Sequence, residues 1–253
     1  QRRLAGRTLG HAAAVIVPAA GWQPLFAPWV APERLYTVPN AIHVNTFDCG
    51  PRPADSRPVR ILFVGMLSAR KGLDELCTAL TRLVHEGVSN FQVDIVGGEE
   101  VLGDGARYRA LYGQAGLDRW VTFHGLQSGA AKLGFYRRAD VFVLPSRSES
   151  FGIVNLEALA SRLAVVSTRT GAIPEYISSG EHGPLAGHGD ADGLAHALRQ
   201  LIEDPALRRR LGEAARVQVQ RYDWRAVAVS LAHLYDDVLA RCRADRPAAT
   251  PPQ

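Results

Sequence analysis

From residue 59 onward, the sequence alternates short apolar runs with longer segments of helical periodicity. The runs are rich in β-branched and aromatic residues, which is typical of parallel strands covered on both faces. They predict strands at residues 60–65, 91–96, 121–123, 141–144 and 163–168. Because a crossover between parallel strands usually contains a helix, the alternation favours an α/β fold with a doubly wound, mostly parallel, Rossmann-like sheet. Ligands of such sheets bind outside the carboxyl ends of the strands.

The segments between these strands have helical features. Leucines recur at three- to four-residue spacing after residue 72 and predict a helix at 73–86. The remaining predictions are helices at 4–13, 105–115, 130–138, 191–203 and 205–221, a strand at 14–17 and a short helical piece at 173–178. Six prolines lie in residues 28–58, so we expect that segment to be extended or looped.

Composition argues against several classes of function. The 253 residues carry a formal net charge of +4, and the arginines are scattered, so we expect no nucleic-acid partner. Three widely spaced cysteines indicate neither a disulfide framework nor a zinc site. His182 and His188 lack an evident third ligand, so no metal is expected. No apolar run reaches the roughly 18 residues of a membrane span. We expect a cytoplasmic chain, with peripheral association at a membrane left open.

Residues 141–157 combine a strand, a polar turn and the start of a helix. The apolar strand Val141–Leu144 is followed by a helix that we expect to begin near Phe151 or Gly152. The first N–H groups of a helix have no partner within it and can bind an anion. This stretch therefore predicts an anion site at the carboxyl end of a strand.

Two glutamates flank that anion position. Glu149 lies in the turn, and Glu157 lies about 9 Å along the helix at 1.5 Å per residue, which suits a sugar attached to a phosphate. The simpler interpretations are that Glu149 caps the helix and that Glu157 is a solvated helix residue.

The loop after the strand at 60–65 carries a second set of candidates. Gly65 allows a ligand to approach the backbone, and Lys71 supplies a mobile positive charge for a diphosphate. Lys71 is also compatible with a solvated helix end. The spacing is not that of a P-loop, and no Gly-x-Gly-x-x-Gly follows a predicted strand.

Nine short motifs nevertheless occur in a recognisable order. They are Val-Pro-Asn-Ala-Ile at 38–42, Leu-Phe-Val-Gly at 62–65, Lys-Gly at 71–72, Val-Thr-Phe-His-Gly at 121–125, Tyr-Arg-Arg-Ala-Asp at 136–140, Pro-Ser at 145–146, Glu-Ser-Phe-Gly at 149–152, Glu-Ala at 157–158 and Gly-Ala-Ile-Pro-Glu at 171–175. This order resembles the carboxyl-terminal, donor-binding half of the retaining glycosyltransferases of family 4, which have the GT-B fold. The resemblance covers about residues 10–240.

The resemblance implies an enzyme that transfers a sugar from a nucleotide diphosphate donor with retention, without an essential metal or cofactor. Lys71 matches a lysine on the donor diphosphate, and Glu149 matches a glutamate near the transferred sugar. These two are the predicted catalytic residues, because Lys71 would stabilise charge on the leaving diphosphate and Glu149 would orient the sugar. Glu157 matches a second glutamate, on the ribose hydroxyls.

Backbone groups complete the implied donor site. Those of Phe151, Gly152 and Ile153 would meet the diphosphate, as the helix start suggested independently. The backbone near His124 would lie by the nucleobase, while the imidazole either packs or contacts the base.

The sequence departs from the family pattern beside the diphosphate. Met66 occupies the place of an arginine, so either the neighbouring Arg70 supplies that charge or diphosphate binding is weakened. Ala41, His43 and Ala172 replace a usual glycine, aspartate and glycine and change local geometry.

Family members also have a complete amino-terminal domain that commonly holds the acceptor. We therefore assign residues 1–30 to the end of such a domain, 31–58 to a crossing, 59–242 to the donor-binding domain and 243–253 to a disordered tail. The chain looks like part of a longer protein, and the missing half would leave an apolar face for a partner.

Two functions of different class remain open. One is a glycosyltransferase whose other half lies upstream or in a partner chain, with a sugar, lipid or natural product as acceptor. The other is a non-catalytic nucleotide-sugar-binding or structural remnant. A related nucleotide-sugar epimerase is less favoured, because its motif spacing differs.

Overall fold

A computed structural model describes residues 2–51 and 57–244. The strands are β1 (Val15–Val17), β2 (Leu35–Thr37), β3 (Val59–Val64), β4 (Phe91–Val96), β5 (Val121–Phe123), β6 (Val141–Leu144), β7 (Ala164–Thr168) and β8 (Leu185–Ala186). The α-helices are α1 (Arg2–His11), α2 (Gln23–Phe26), α3 (Leu73–His85), α4 (Asp104–Gln114), α5 (Gly129–Arg138), α6 (Ile153–Ala160), α7 (Ile173–Tyr176), α8 (Ala191–Glu203), α9 (Pro205–Gln218) and α10 (Trp224–Ala244).

The main sheet has six parallel strands in the order β5-β4-β3-β6-β7-β8. The chain runs outward from β3 to β5, returns to the middle at β6 and then runs outward to the other edge. This is the doubly wound, Rossmann-like arrangement that the alternation predicted. The order reverses between β3 and β6.

The core lies between the sheet and its helices. All four residues of β6 are fully buried, as the unbroken apolar run predicted. Leu73, Leu76, Leu80 and Leu83 form the fully buried face of α3, which packs against α8. Burying one such leucine contributes about 2 kcal/mol. The leucine spacing therefore fixes which face of α3 is buried in the core.

The predicted strands of the main sheet agree with the observed ones to within one residue at each end. The sequence did not indicate β2, β8 or the full extent of α10. The strand β8 has only two residues, and β2 lies in the proline-rich segment. In α10 only Val227 and Leu234 are buried, so its apolar pattern is weak.

A smaller parallel pair, β1 and β2, lies outside the main sheet. The strand β2 falls within residues 31–58, whose described part otherwise contains short 3-10 turns and loops. Ile42 joins this segment to the carboxyl-terminal region, because it accepts from Trp224 N–H and donates to the Tyr222 carbonyl, both over 3.0 Å. The proposed domain division remains a prediction. Of the predicted disordered tail, residues 243–244 belong to α10, and 245–253 lie outside the described residues.

The turn after β3 packs tightly against the end of β6 through Gly72. This glycine has φ of +76°, and a Cβ placed there would lie 1.9 Å from the Pro145 carbonyl oxygen. Only a residue without a side chain permits this contact. Gly87 offers a matched comparison, because its φ is +83° and a Cβ placed there would meet nothing within 4 Å.

We expect Gly87→Ala to lower the free energy of unfolding by about 1 kcal/mol, the cost of a left-handed backbone alone. Gly72→Ala adds the clash with Pro145 and should cost about 3–4 kcal/mol. Urea denaturation of both variants measures the difference. Equal losses would contradict the close contact between the two loops.

Candidate functional site

The carboxyl ends of β3 and β6 lie side by side, and the loops that follow them are in contact. The N–H of Arg147, after β6, donates to the Arg70 carbonyl, after β3, over 2.9 Å. Here the strand order reverses, and doubly wound sheets bind ligands in the crevice at such a point. The side chains of these two loops are therefore the first candidates for a site.

Lys71 and Glu149, the two predicted catalytic residues, form an ion pair between these loops. The Lys71 ammonium donates to Glu149 Oε2. The two side chains are 12% and 8% exposed. Each charge compensates the other in the protein without ligand. Because an ammonium has three donor hydrogens, Lys71 can hold Glu149 and still donate to an anion.

A buried hydroxyl holds the loop between Glu149 and α6. Tyr176 donates to the Phe151 carbonyl oxygen, and Asn155 donates to the Tyr176 oxygen over 3.2 Å. Burial raises the pKa of Tyr176 well above its usual value, so the hydroxyl keeps its proton. Gly152 has φ of +84°, a left-handed conformation that favours glycine. Together these contacts fix the backbone immediately before α6.

The amino terminus of α6 opens onto this loop. The helix begins at Ile153, one residue beyond the expected start at Gly152. Among the described residues, the N–H groups of Ile153 and Val154 have no hydrogen-bond partner. Such groups, at the positive end of the helix dipole, attract an anion. An anion bound there would lie near Glu149, four residues earlier in the chain.

Glu157 is buried on α6 and engaged by two side chains of α5. The Lys132 ammonium donates to its two oxygens over 2.7 and 2.9 Å, and the Tyr136 hydroxyl donates over 2.7 Å. Burial and the adjacent carboxylate raise the pKa of Tyr136, so the phenol remains the donor. A ribose hydroxyl on Glu157 would therefore share the carboxylate with these groups.

Sequence reasoning did not assign Lys132 or Tyr136 to the site. Their four-residue spacing places both on one face of α5, and this was the available signal. The fact that this face meets Glu157 depends on the packing of α5 against α6.

His124 contributes its imidazole to packing. Its Nε2 lies 2.6 Å from Asp94 Oδ1, and its ring packs edge-on against Phe135 at 4.6 Å between centroids. Its backbone N–H donates to the Ile95 carbonyl over 2.9 Å. In the protein without ligand the imidazole is held by Asp94 and Phe135, and its contact with a base remains a prediction. Backbone contact with a base remains a prediction.

The loop after β3 shows where the departures from the family pattern lie. Gly65 packs so closely on Gly97 that a Cβ on the latter would lie 1.7 Å from the Gly65 carbonyl oxygen. Met66 is 38% exposed. Arg70 pairs with Glu100 through Nε and Nη2, at 3.2–3.3 Å. Much of the hydrogen-bonding capacity of Arg70 is thus already used.

The amino-terminal segment contacts the loop after β6 and the helix α7. The Glu175 carboxylate accepts the N–H groups of Ala20 and Gly21 over 3.0 and 2.8 Å. Trp22 Nε1 donates to the Ser150 carbonyl over 2.9 Å. Neither contact was expected from the sequence, because the partners are more than 120 residues apart.

Two clefts lie away from the predicted site residues. One of about 600 Å³ is lined by residues of α9, and one of about 550 Å³ by residues of α3. Lys71, Glu149 and Glu157 line neither. Neither cleft belongs to the candidate site.

The sequence predicts no metal site, because His182 and His188 lack an evident third ligand. Ser178 N–H donates to His182 Nδ1, and burial lowers the pKa of His182, which favours the neutral ring. Across residues 2–51 and 57–244, no three His, Cys, Asp or Glu side chains cluster as metal ligands. No helix in those residues is long and apolar enough to cross a membrane.

The doubly wound parallel sheet, with its switch point between β3 and β6, defines an α/β domain of the Rossmann-like class. Residues 50–218 match the family model of the glycosyl transferases group 1, so the chain belongs to that family.

Several relatives are similar over most of the chain. It is 31% identical over 228 residues to the D-inositol 3-phosphate glycosyltransferase of Corynebacterium glutamicum, covering 85% of this chain and 54% of that protein. It is 32% identical to the glycogen synthase of Mycobacterium tuberculosis, covering 88% of this chain and 52% of that protein. The chain thus spans about half the length of these curated relatives.

Solved structures agree on the fold. Sucrose-phosphate synthase of Thermosynechococcus elongatus has a TM-score of 0.81 at 28% identity, over 94% of this chain and 61% of that one. Anabaena HepE in complex with UDP and glucose has a TM-score of 0.81 at 22% identity, over 92% of this chain and 66% of that one. The structure therefore confirms the GT-B type of domain.

The interaction between Lys132 and Glu157 can be tested without a ligand. Lys132→Met leaves a buried carboxylate with one donor fewer and should lower the free energy of unfolding by about 1–3 kcal/mol. Adding Glu157→Gln removes the uncompensated charge, so the double variant should recover most of that loss. Urea denaturation of the two single variants and the double measures the coupling. Strictly additive losses would show that Lys132 and Glu157 do not interact.

Proposed function

We propose that this chain supplies the donor-binding half of a retaining glycosyltransferase. It would hold a nucleotide diphosphate sugar at the switch point between β3 and β6 and transfer the sugar to a separate acceptor. The observation that carries the proposal is the Lys71–Glu149 pair beside the open start of α6, in a member of the glycosyl transferases group 1. No cofactor or metal is needed in this proposal.

The donor would lie along the carboxyl edge of the sheet. Its diphosphate would bind the N–H groups of Ile153 and Val154 and the Lys71 ammonium, the groups at this edge suited to an anion. Its ribose would lie further along α6, at Glu157. The sugar would then be placed on the Glu149 side. The complexes of Anabaena HepE with UDP and with UDP-glucose support a donor of this class by analogy of fold.

Catalysis would depend on charge at the leaving group. As the bond between sugar and diphosphate breaks, negative charge grows on the phosphate oxygens. Lys71 and the α6 terminus are already in place to stabilise it, so little reorganisation is required. Glu149 would accept hydrogen bonds from the sugar and keep it oriented. Retention requires attack and departure on one face of the sugar, and this part of the proposal comes from the family resemblance.

A non-catalytic sugar-nucleotide-binding chain is the second candidate. The same Lys71–Glu149 pair and open start of α6 would serve a chain that binds the nucleotide sugar without transferring it. The two functions differ in their response to an acceptor-binding half, supplied by the same polypeptide or by a partner. Only the glycosyltransferase would transfer sugar when that half is present. Transfer assays with the chain alone and with such a half added would distinguish them, because a non-catalytic chain gives no transfer in either case.

We expect the chain to bind at least one nucleotide sugar in calorimetric titrations with UDP-, GDP- and ADP-sugars. The bound donor should compete with its free nucleoside diphosphate, because the proposed contacts are mainly to the nucleotide. Absence of heat and of competition for the whole panel would rule out the donor site.

Lys71 and Glu157 should affect different parts of the nucleotide. Lys71→Ala should weaken binding of the nucleoside diphosphate at least about tenfold and leave the nucleoside nearly unchanged, since it removes a charge-assisted contact to phosphate. Glu157→Gln should weaken the nucleoside and the diphosphate alike. Calorimetry of both variants with both ligands provides the control, because each variant is the reference for the other. Equal losses of both ligands in Lys71→Ala would exclude its contact with the diphosphate.

A further inference from the structure

Arg147 is a cation of the candidate site to which the family pattern assigned no role. It lies in the loop after β6, two residues before Glu149. Its N–H donates to the Arg70 carbonyl, so its backbone lies against the turn that carries Lys71. The backbone of Arg147 therefore lies where the two loops that carry Lys71 and Glu149 meet.

The Arg147 guanidinium is anchored from behind. Its Nε donates to Glu75 Oε1 over 2.5 Å, and Glu75 is in the first turn of α3. The Glu75 side chain is 7% exposed and the Arg147 side chain 47%. A buried carboxylate thus fixes one end of a guanidinium whose other end faces water. Such a supporting partner reduces the freedom that a ligand-binding side chain loses on binding.

Arg70 and Arg147 differ in which of their guanidinium N–H groups have no partner. Arg70 directs Nε and Nη2 at Glu100, and both partners are exposed. Arg147 uses Nε alone, and among the described residues its Nη1 and Nη2 have no partner. Those two nitrogens form the planar edge that binds phosphate in a bidentate manner.

We infer that Arg147 binds the donor diphosphate and supplies the charge lost where Met66 replaces an arginine. This inference rests on the proposed function. Glu149 would face the sugar and Glu157 the ribose. Because Arg147 lies two residues before Glu149, we expect it to meet the phosphate next to the sugar. Glu75 is a positioning residue that orients the guanidinium.

The experiment uses the whole chain and whichever of UDP, GDP and ADP binds the wild type most tightly, with its monophosphate as reference. Arg147→Ala alone would leave Glu75 buried without its partner, so it is compared in a Glu75→Gln background. Relative to Glu75→Gln, the double variant Glu75→Gln/Arg147→Ala should bind the diphosphate at least about tenfold more weakly. The monophosphate should change less than twofold. Arg70→Ala tests the competing assignment of this charge to Arg70, and on our inference it should change neither affinity by more than about twofold.

A conservative variant separates charge from geometry. Arg147→Lys keeps the positive charge but loses the planar edge formed by Nη1 and Nη2. We therefore expect an intermediate affinity for the diphosphate. Urea denaturation of each variant establishes that the chain is folded.

The outcomes are distinguishable. If the diphosphate binds Glu75→Gln and the double variant equally, or if Arg70→Ala causes the larger loss, Arg147 is not the missing cation, although the donor site remains. If the affinities for the diphosphate and the monophosphate fall equally, Arg147 does not contact the phosphate next to the sugar. If none of the three diphosphates binds the wild type, the proposed function fails and this inference fails with it.

Discussion

The contact between the two loops at the switch point is the constraint on which the site depends. Gly72 lies against the Pro145 carbonyl, and this packing brings the turn after β3 close enough for Lys71 to reach Glu149. A side chain at residue 72 would separate the loops and leave two buried charges without partners. Desolvated charges are costly unless paired. The fold thus makes the pair possible, and the pair is the electrostatic centre of the site.

Each candidate cation of the edge is held by a carboxylate. Lys71 has Glu149, Lys132 has Glu157 and Arg147 has Glu75. In that form the edge has little net charge, so attraction of an anion depends on donors that the pairs leave unused and on the start of α6. The pairing also keeps flexible side chains oriented before a ligand arrives, which lowers the entropic cost of binding.

Much of this could be predicted from the sequence, because strand and helix periodicity is local. The buried run Val141–Leu144 and the loop residues Lys71 and Glu149 were identified from pattern and motif order. Lys132 could not be assigned, because its role arises only when α5 packs on α6. The Glu75–Arg147 pair was missed for the same reason, since 72 residues separate its partners and neither belongs to a motif. Local sequence thus indicated the elements, while tertiary packing determined which charges meet.

Hydrogen bonds of Trp22 and Glu175 connect the amino-terminal segment to the loop after β6 and to α7. Glu175 holds the backbone of Ala20 and Gly21, and Trp22 holds the carbonyl of Ser150, the residue after Glu149. A ligand that stabilises one position of that loop would, by linkage, favour the position of the segment that these contacts accompany. The position of this segment and occupancy of the proposed donor site would therefore be coupled.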